Sequence, residues 1–289
     1  MARGYSLHLG LNSVDPSHYD GWAGRLNAGE SDAADMASIA QAAGFVDRRV
    51  HLTSQATSDR FIEDMLEFTQ TLEEGDLLLV TYSGHGGQIP DESSDEDDRY
   101  DETWCLYDRQ LIEGELRRLF ARFKKGVRIV VLSDSCHSGT VVKLRRDAGL
   151  LPLSVFANQL AQIGSESPTS LSAAPSRSAP IEVTIAAYNG QRRSYLALQA
   201  ASADARRIEP QAGVIRIAGC MDDQLSLDGK RNGLFTANLK RVWNDGAFCG
   251  GYRLFHQTIV SRMPPTQTPS FRTAGNVGAS FLNSKPFSI

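Results

Sequence analysis

The sequence predicts an α/β fold on a doubly wound, mostly parallel sheet, and three observations carry that reading. Residues 76–82 (Asp-Leu-Leu-Leu-Val-Thr-Tyr) and 129–132 (Ile-Val-Val-Leu) are apolar without a polar face, as central parallel strands covered by helices on both sides must be. Strand-like and helix-like segments alternate along the chain, the order that winds a parallel sheet. Both apolar strands run out into small polar residues, Ser83-Gly84-His85-Gly86-Gly87 and Ser133-Asp134-Ser135-Cys136-His137-Ser138-Gly139. The carboxyl ends of such strands are where this architecture carries chemistry.

In chain order, residues 5–11 alternate as a first strand. Ser31 is placed to cap a helix with Asp32 and Asp35 in its first turns, running through Ala43 to Gly44. Residues 45–52 form a second strand, and Thr57-Ser58-Asp59 opens an amphipathic helix whose buried stripe is Phe61, Met65, Phe68 and Leu72. Residues 112–123 repeat the helical period ahead of the Cys136 strand. Residues 164–180, built from Ser, Pro and Ala, bury too little to fold alone and predict a mobile loop. Order returns with a strand at 214–218, helices at 232–243 and 252–263, and a short last strand at 268–272.

Composition narrows the function classes. A chain of 289 residues with 41% apolar content buries a sizeable core as one large domain. Residues 91–102 hold eight acids and one arginine, a local charge of -7; subtracting it from the total of -4 leaves +3 on the rest. No basic surface for nucleic acid is expected from that balance. The amino-terminal residues lack an apolar signal core, and no run nears the roughly 18 apolar residues of a membrane span, so a cytoplasmic protein without membrane partners is expected. Cys105, Cys136, Cys220 and Cys249 form no Cys-x-x-Cys pair, which points away from zinc and from a disulfide framework. Phosphate-binding glycine motifs are absent from the sequence.

The chemistry is expected from Cys136 and His85, which leave neighbouring strand ends. An imidazole favours the thiolate and later returns a proton to a leaving amine. Backbone N–H groups of Gly86 and Cys136 are candidates to hold a tetrahedral oxyanion, because small flanking residues leave that approach open. Cys105, Cys220 and Cys249 read as packing residues. His8, His18, His51 and His256 show no partner pattern, and His137, whose side chain is expected to point apart from that of Cys136, is given a supporting role at most.

These residues resemble a known family. The 51-residue interval from His85 to Cys136 is near the caspase spacing of about 50. Residues 82–88 (Tyr-Ser-Gly-His-Gly-Gly-Gln), 134–139 (Asp-Ser-Cys-His-Ser-Gly) and 218–226 (Ala-Gly-Cys-Met-Asp-Asp-Gln-Leu-Ser) are similar to the metacaspases, with a weaker match around Asp32-Ala33. The resemblance implies a caspase-like fold, a six-stranded mostly parallel sheet flanked by helices on both faces. It also implies peptide-bond hydrolysis through an acyl-enzyme, cleavage after Arg or Lys, and a first specificity pocket at Asp32, Ser83 and Asp134. Carboxylates at the floor of a cleft hold a guanidinium bidentately and repel acids. Asp32 also suits a helix amino terminus, and Asp134 a loop acceptor.

The expected domain is single over 1–289, with a large-subunit-like part at 1–146 holding the His and Cys, a flexible linker or activation loop at 147–182 and a small-subunit-like part at 183–289. Lys143, Arg145, Arg146 and Arg177 are candidate self-processing sites, Arg177 being the one expected to be cut in trans. No cofactor is required for the chemistry. The resemblance brings calcium into view at Asp95, Asp97, Asp98 and Asp101, although Val141-Val142-Lys143-Leu144-Arg145 stands where calcium-dependent relatives carry another acid. Expected partners are protein or peptide substrates with Arg or Lys at the cleaved position, and an upstream activator. The competing readings are a silent caspase-like binding or scaffold module and a calcium-binding α/β module.

Overall fold

The computed structural model describes residues 1–91, 100–136, 176–203, 208–221 and 224–289. Its main sheet is formed by β1 (Gly4–Gly10), β2 (Asp47–Leu52), β3 (Leu77–Ser83), β7 (Arg128–Asp134), β8 (Gly213–Ala218) and β9 (Ser270–Gly275). They lie in the order β2-β1-β3-β7-β8-β9. All pairs are parallel except β8 with β9. This is the caspase-like fold, with six strands, mostly parallel.

The period of two along the central strands explains the two-sided core. Leu78, Val80, Ile129 and Val131 face Phe61, Met65 and Phe68 of α2 (Ser58–Thr71) and Leu116, Leu119 and Phe120 of α3 (Glu113–Phe120). Leu77, Leu79, Val130, Leu132, Ile215 and Ile217 face the opposite layer. There they meet Met36 and Ile39 of α1 (Gly29–Ala42), Phe235 and Leu239 of α6 (Leu234–Trp243) and Phe255 and Ile259 of α7 (Tyr252–Val260). Each such side chain contributes about 2 kcal/mol by leaving water, so helices on both faces hold the strands in register. A short α8 (Ala279–Asn283) closes this layer with Phe281.

Several sequence expectations are corrected. Helix α1 starts two residues before Ser31, because its amino-terminal cap comes from elsewhere in the chain: Glu30 N–H donates to Asn12 Oδ1 at 3.2 Å. A Cβ on Gly29 would lie 2.2 Å from the Leu11 carbonyl oxygen, so the helix sits directly on the end of β1. The segment after His85 forms a second, antiparallel sheet of β4 (Gly86–Pro90), β5 (Tyr100–Cys105) and β6 (Gln110–Ile112). Order also returns well before 214, in α4 (Ile181–Gly190) and α5 (Arg192–Ser202). Tyr188 and Tyr195 from these helices pack with Ile89 and Ile112 of the small sheet. Within the expected linker at 147–182, the described residues include Ser176 and Ser178 in β-bridges and the start of α4 at Ile181. Residues 147–175 lie outside the described ones.

Candidate active site

Strands β3 and β7 pair so that Ser83 stands opposite Asp134. His85 and Cys136 each follow two residues later, which brings the two sequence-picked groups to one sheet edge. At this edge the chain also turns both ways from β1, toward β2 and toward β3, the crevice where doubly wound sheets bind ligands.

His85 is held from several sides. Its carbonyl accepts from the Tyr82 hydroxyl at 2.6 Å and from Cys105 N–H at 2.9 Å, and Tyr82 itself stacks on Trp104. The His85 ring lies 4.7 Å from the Trp22 ring, and its Nε2 is 3.0 Å from the Gly24 carbonyl oxygen. A carbonyl only accepts, so this bond places the ring proton on Nε2 and leaves Nδ1 with its lone pair. Nδ1 is buried and has no hydrogen-bond partner among the described residues. Burial pulls the imidazole down to about 4; the Gly24 bond acts against it and the Arg177 charge adds to it. His85 is therefore a neutral base at pH 7.

The fully buried Cys136 receives the Ser226 N–H on Sγ and has Cys220 Sγ at 2.9 Å. The N–H groups of Gly86 and Cys136 are the candidates the sequence offers for an oxyanion hole. Both donate to one oxygen, the Arg177 carbonyl, at 2.9 and 3.1 Å.

Arg177 arrives there as an extended strand. Its N–H donates to the Ser226 carbonyl at 3.0 Å, Ser176 bridges Leu227 antiparallel, and Ser178 bridges Gly86 with Ala179 N–H on the Gly86 carbonyl at 2.8 Å. The side chain is 0% exposed. Nη1 donates to Ser83 Oγ at 2.7 Å and to the Asp134 carbonyl at 3.0 Å, and lies 3.2 Å from Asp134 Oδ2. Nη2 meets Asp32 Oδ2 at 2.7 Å and Asp228 Oδ1 at 2.9 Å. The three residues picked from the sequence, Asp32, Ser83 and Asp134, thus surround one guanidinium.

The carboxylates are fixed in advance. Asp134 Oδ2 accepts Thr236 N–H at 3.1 Å at the amino end of α6, and its Oδ1 accepts the Ser226 hydroxyl at 2.8 Å. Asp32 Oδ1 accepts from Asn232 and from Gly233 N–H, where a Cβ would lie 2.4 Å from Asp134 Oδ2. Asp228 Oδ2 accepts Asn27 N–H at 2.7 Å. Burial pushes the Asp32 carboxyl up to about 6, against the pull of Arg177 and with a further push from Asp134. Burial likewise opposes the charge on Arg177, but the carboxylates of Asp134, Asp32 and Asp228 more than offset it and hold the guanidinium above its usual pKa.

Sequence reasoning missed Asp228, Trp22, Gly24 and the place of Arg177 in the pocket. Asp228 stands two residues beyond the Gln-Leu-Ser match, and the Asp-Gly turn there was its only signal. Cys249 is exposed, so its reading as a packing residue is withdrawn, whereas Cys105 is buried and its thiol is pushed up to about 12 by desolvation. Asp101 is buried and accepts from Gln199 at 2.8 Å; Asp95, Asp97 and Asp98, like His137, Lys143, Arg145 and Arg146, lie outside the described residues. No group of three or more His, Cys, Asp or Glu side chains among the described residues is arranged to hold a metal ion. No described helix is long and apolar enough to cross a membrane.

A fold of this order with a Cys and a His at the central strand ends defines the class of caspase-like cysteine peptidases. The caspase domain model (Peptidase_C14) matches residues 14–276, and the chain belongs to that family. It is 32% identical over 153 residues to Metacaspase-1A of Aspergillus fumigatus, covering 48% of this chain and 36% of that protein. Metacaspase-1 of Coccidioides immitis is 38% identical over 96 residues, 32% of this chain and 21% of its own. The chain thus spans 36% or less of the length of these two relatives. Among solved structures, a protein from Geobacter sulfurreducens is similar over 99% of both chains with 43% identity and a TM-score of 0.84. Caspase-1 from Spodoptera frugiperda shares the fold, with a TM-score of 0.53 and 10% identity over 94% of this chain and 88% of its own.

Proposed function

We propose that this peptidase is a cysteine endopeptidase that cleaves after arginine or lysine, with His85 as base and Cys136 as nucleophile. One observation carries the reading: the chain's own Arg177 lies in the cleft as a substrate would, its guanidinium among three carboxylates and its carbonyl oxygen on two N–H groups. A lysine fits the same charges with fewer bonds; an acidic side chain is repelled.

In this reading the groups act in sequence. His85 Nδ1 takes the Cys136 proton once the side chain turns from Ser226 and Cys220 to the imidazole. The thiolate attacks the carbonyl carbon, and the charge that develops on oxygen is met by Gly86 and Cys136 N–H groups already aimed at it. Protonated His85 then gives its proton to the leaving amine. A water, activated by the same Nδ1, hydrolyses the thioester.

In this reading Cys136 cuts the Arg177–Ser178 bond of its own molecule, in cis and not by the trans route expected from the sequence; the Arg177 carbonyl on the Cys136 N–H supports it. Residues after Ser178 are anchored, with Thr184 accepting from Gln110 at 3.1 Å. The test is a panel of fluorogenic peptides ending in Arg, Lys or Asp, run with wild type and Cys136→Ala. Turnover of Arg and Lys peptides by wild type alone is expected. Preference for Asp, or full turnover by Cys136→Ala, contradicts the assignment, and a silent binding module would turn over none.

A further inference from the structure

The cleavage scheme leaves one neighbour of the nucleophile without a task. Strands β7 and β8 pair with Ser133 opposite Ala218, so Cys136 and Cys220 both emerge just past the same edge. Both cysteines are buried, no disulfide joins them, and their sulfurs lie 2.9 Å apart. Cys220 Sγ also faces the Ser135 carbonyl at 3.5 Å, a contact that holds it against the loop carrying the nucleophile.

We propose that Cys136 and Cys220 form an oxidation site in which Cys220 resolves oxidised Cys136 into a reversible disulfide; this rests on reading Cys136 as the nucleophile. With hydrogen peroxide as oxidant, the Cys136 thiolate attacks one peroxide oxygen, the O–O bond breaks, and the departing hydroxide is protonated to water. Cys136 is then a sulfenic acid. The Cys220 sulfur attacks the Cys136 sulfur, the S–S bond forms, the S–O bond breaks, and hydroxide leaves as a second water with the Cys220 proton. Two thiols lose two electrons to one peroxide. A disulfide needs sulfurs at about 2.05 Å, and the two residues stand just past the ends of adjacent strands with sulfurs 2.9 Å apart, so a small shift closes that gap. Without Cys220 a sulfenic acid proceeds to sulfinic acid, which thiols do not reverse. Both cysteines are buried, so peroxide has to gain access to the cleft before it reacts.

The experiment treats the full-length protein with hydrogen peroxide, alkylates it, and maps peptides by mass while activity on an arginyl peptide is followed before and after dithiothreitol. Wild type is expected to yield a linked Cys136–Cys220 peptide pair lighter by two hydrogens and to recover activity on reduction. Cys220→Ser and Cys220→Ala are expected to recover at least about tenfold less, with Cys136 found as sulfinic acid. Wild type carrying sulfinic Cys136 and no linked pair would overturn the proposal, as would recovery in both variants equal to wild type. The linked peptide is read without activity, so a protein that forms it yet cleaves nothing would sink the peptidase reading and leave the thiol pair standing.

Discussion

The pocket around Arg177 and the centre around His85 and Cys136 occupy one sheet edge but are bonded in opposite ways. In the pocket, Asp32, Asp134 and Asp228 each have further donors besides Arg177, from Asn232 and Gly233, from Thr236 and Ser226, and from Asn27. At the proposed reaction centre, His85 Nδ1 has no hydrogen-bond partner among the described residues. The difference teaches what each place has to do. A charge-recognising pocket works best when its carboxylates are fixed before the substrate arrives. A base has to keep a lone pair free for the proton it will take.

The sharpest way to break the comparison is at the unsatisfied end. Cys136→Ala and His85→Ala are each expected to lower arginyl-peptide turnover by about 10⁴-fold or more, with an unchanged far-UV circular dichroism spectrum, since neither removes much core volume. Steady-state kinetics check this.

Next in size is removal of the cation from the satisfied end. Arg177→Ala leaves three buried carboxylates facing no positive charge, and breaking a buried pair from one side costs about 3–5 kcal/mol. Thermal unfolding is expected to show a lower Tm that arginine amide raises with the logarithm of its concentration once above Kd, because the ligand refills the pocket of the folded state only. A Tm insensitive to arginine amide would show that the pocket does not bind a free guanidinium.

Asp228→Asn tests whether the residue hidden from the sequence matters as much as those visible in it. It keeps the shape and removes one charge, so kcat/KM for arginyl peptides is expected to fall about 10- to 100-fold. Lysyl peptides lose less.

The smallest effect is on stability against pH. His85, pulled to about 4, and His8, pulled to about 3 by burial, stay neutral in the folded chain while the unfolded chain takes up protons from about 6.5 downward. Stability from these groups is thus fully present above pH 6.5 and is lost as pH falls toward 4. Asp32, raised to about 6, binds its proton first in the folded state and works in the opposite sense between 3.8 and 6. Urea midpoints measured from pH 7.5 to 4.5 are expected to decline shallowly, and Asp32→Asn to make the decline steeper.

What was legible in the sequence divides along the same line. Strands β3, β7 and β8 declare themselves because burial on both faces demands an unbroken apolar run, and the small residues after them mark the edge where His85 and Cys136 stand. Asp32 and Asp134 are visible through motif resemblance, but their common partner lies far along the chain, 145 residues from Asp32. The sequence offers Arg177 as a processing site but nothing local marks it as an occupant of the pocket, since a Ser- and Ala-rich segment looks the same whether it is free or laid into a cleft. The small sheet was hidden for a related reason: Gly86-Gly87-Gln88-Ile89-Pro90 has one large apolar residue, and its pairing is supplied by Tyr100–Cys105.

The most direct test of the account is the identity of the bond cut when the purified full-length chain is left to process itself, read by intact mass in wild type and Cys136→Ala. The account predicts a new fragment beginning at Ser178 in wild type only, appearing at a rate independent of protein concentration. A cut elsewhere with Arg177–Ser178 intact, or an uncut chain that turns over arginyl peptides at full rate, would contradict the claim that Arg177 lies in this cleft as a substrate.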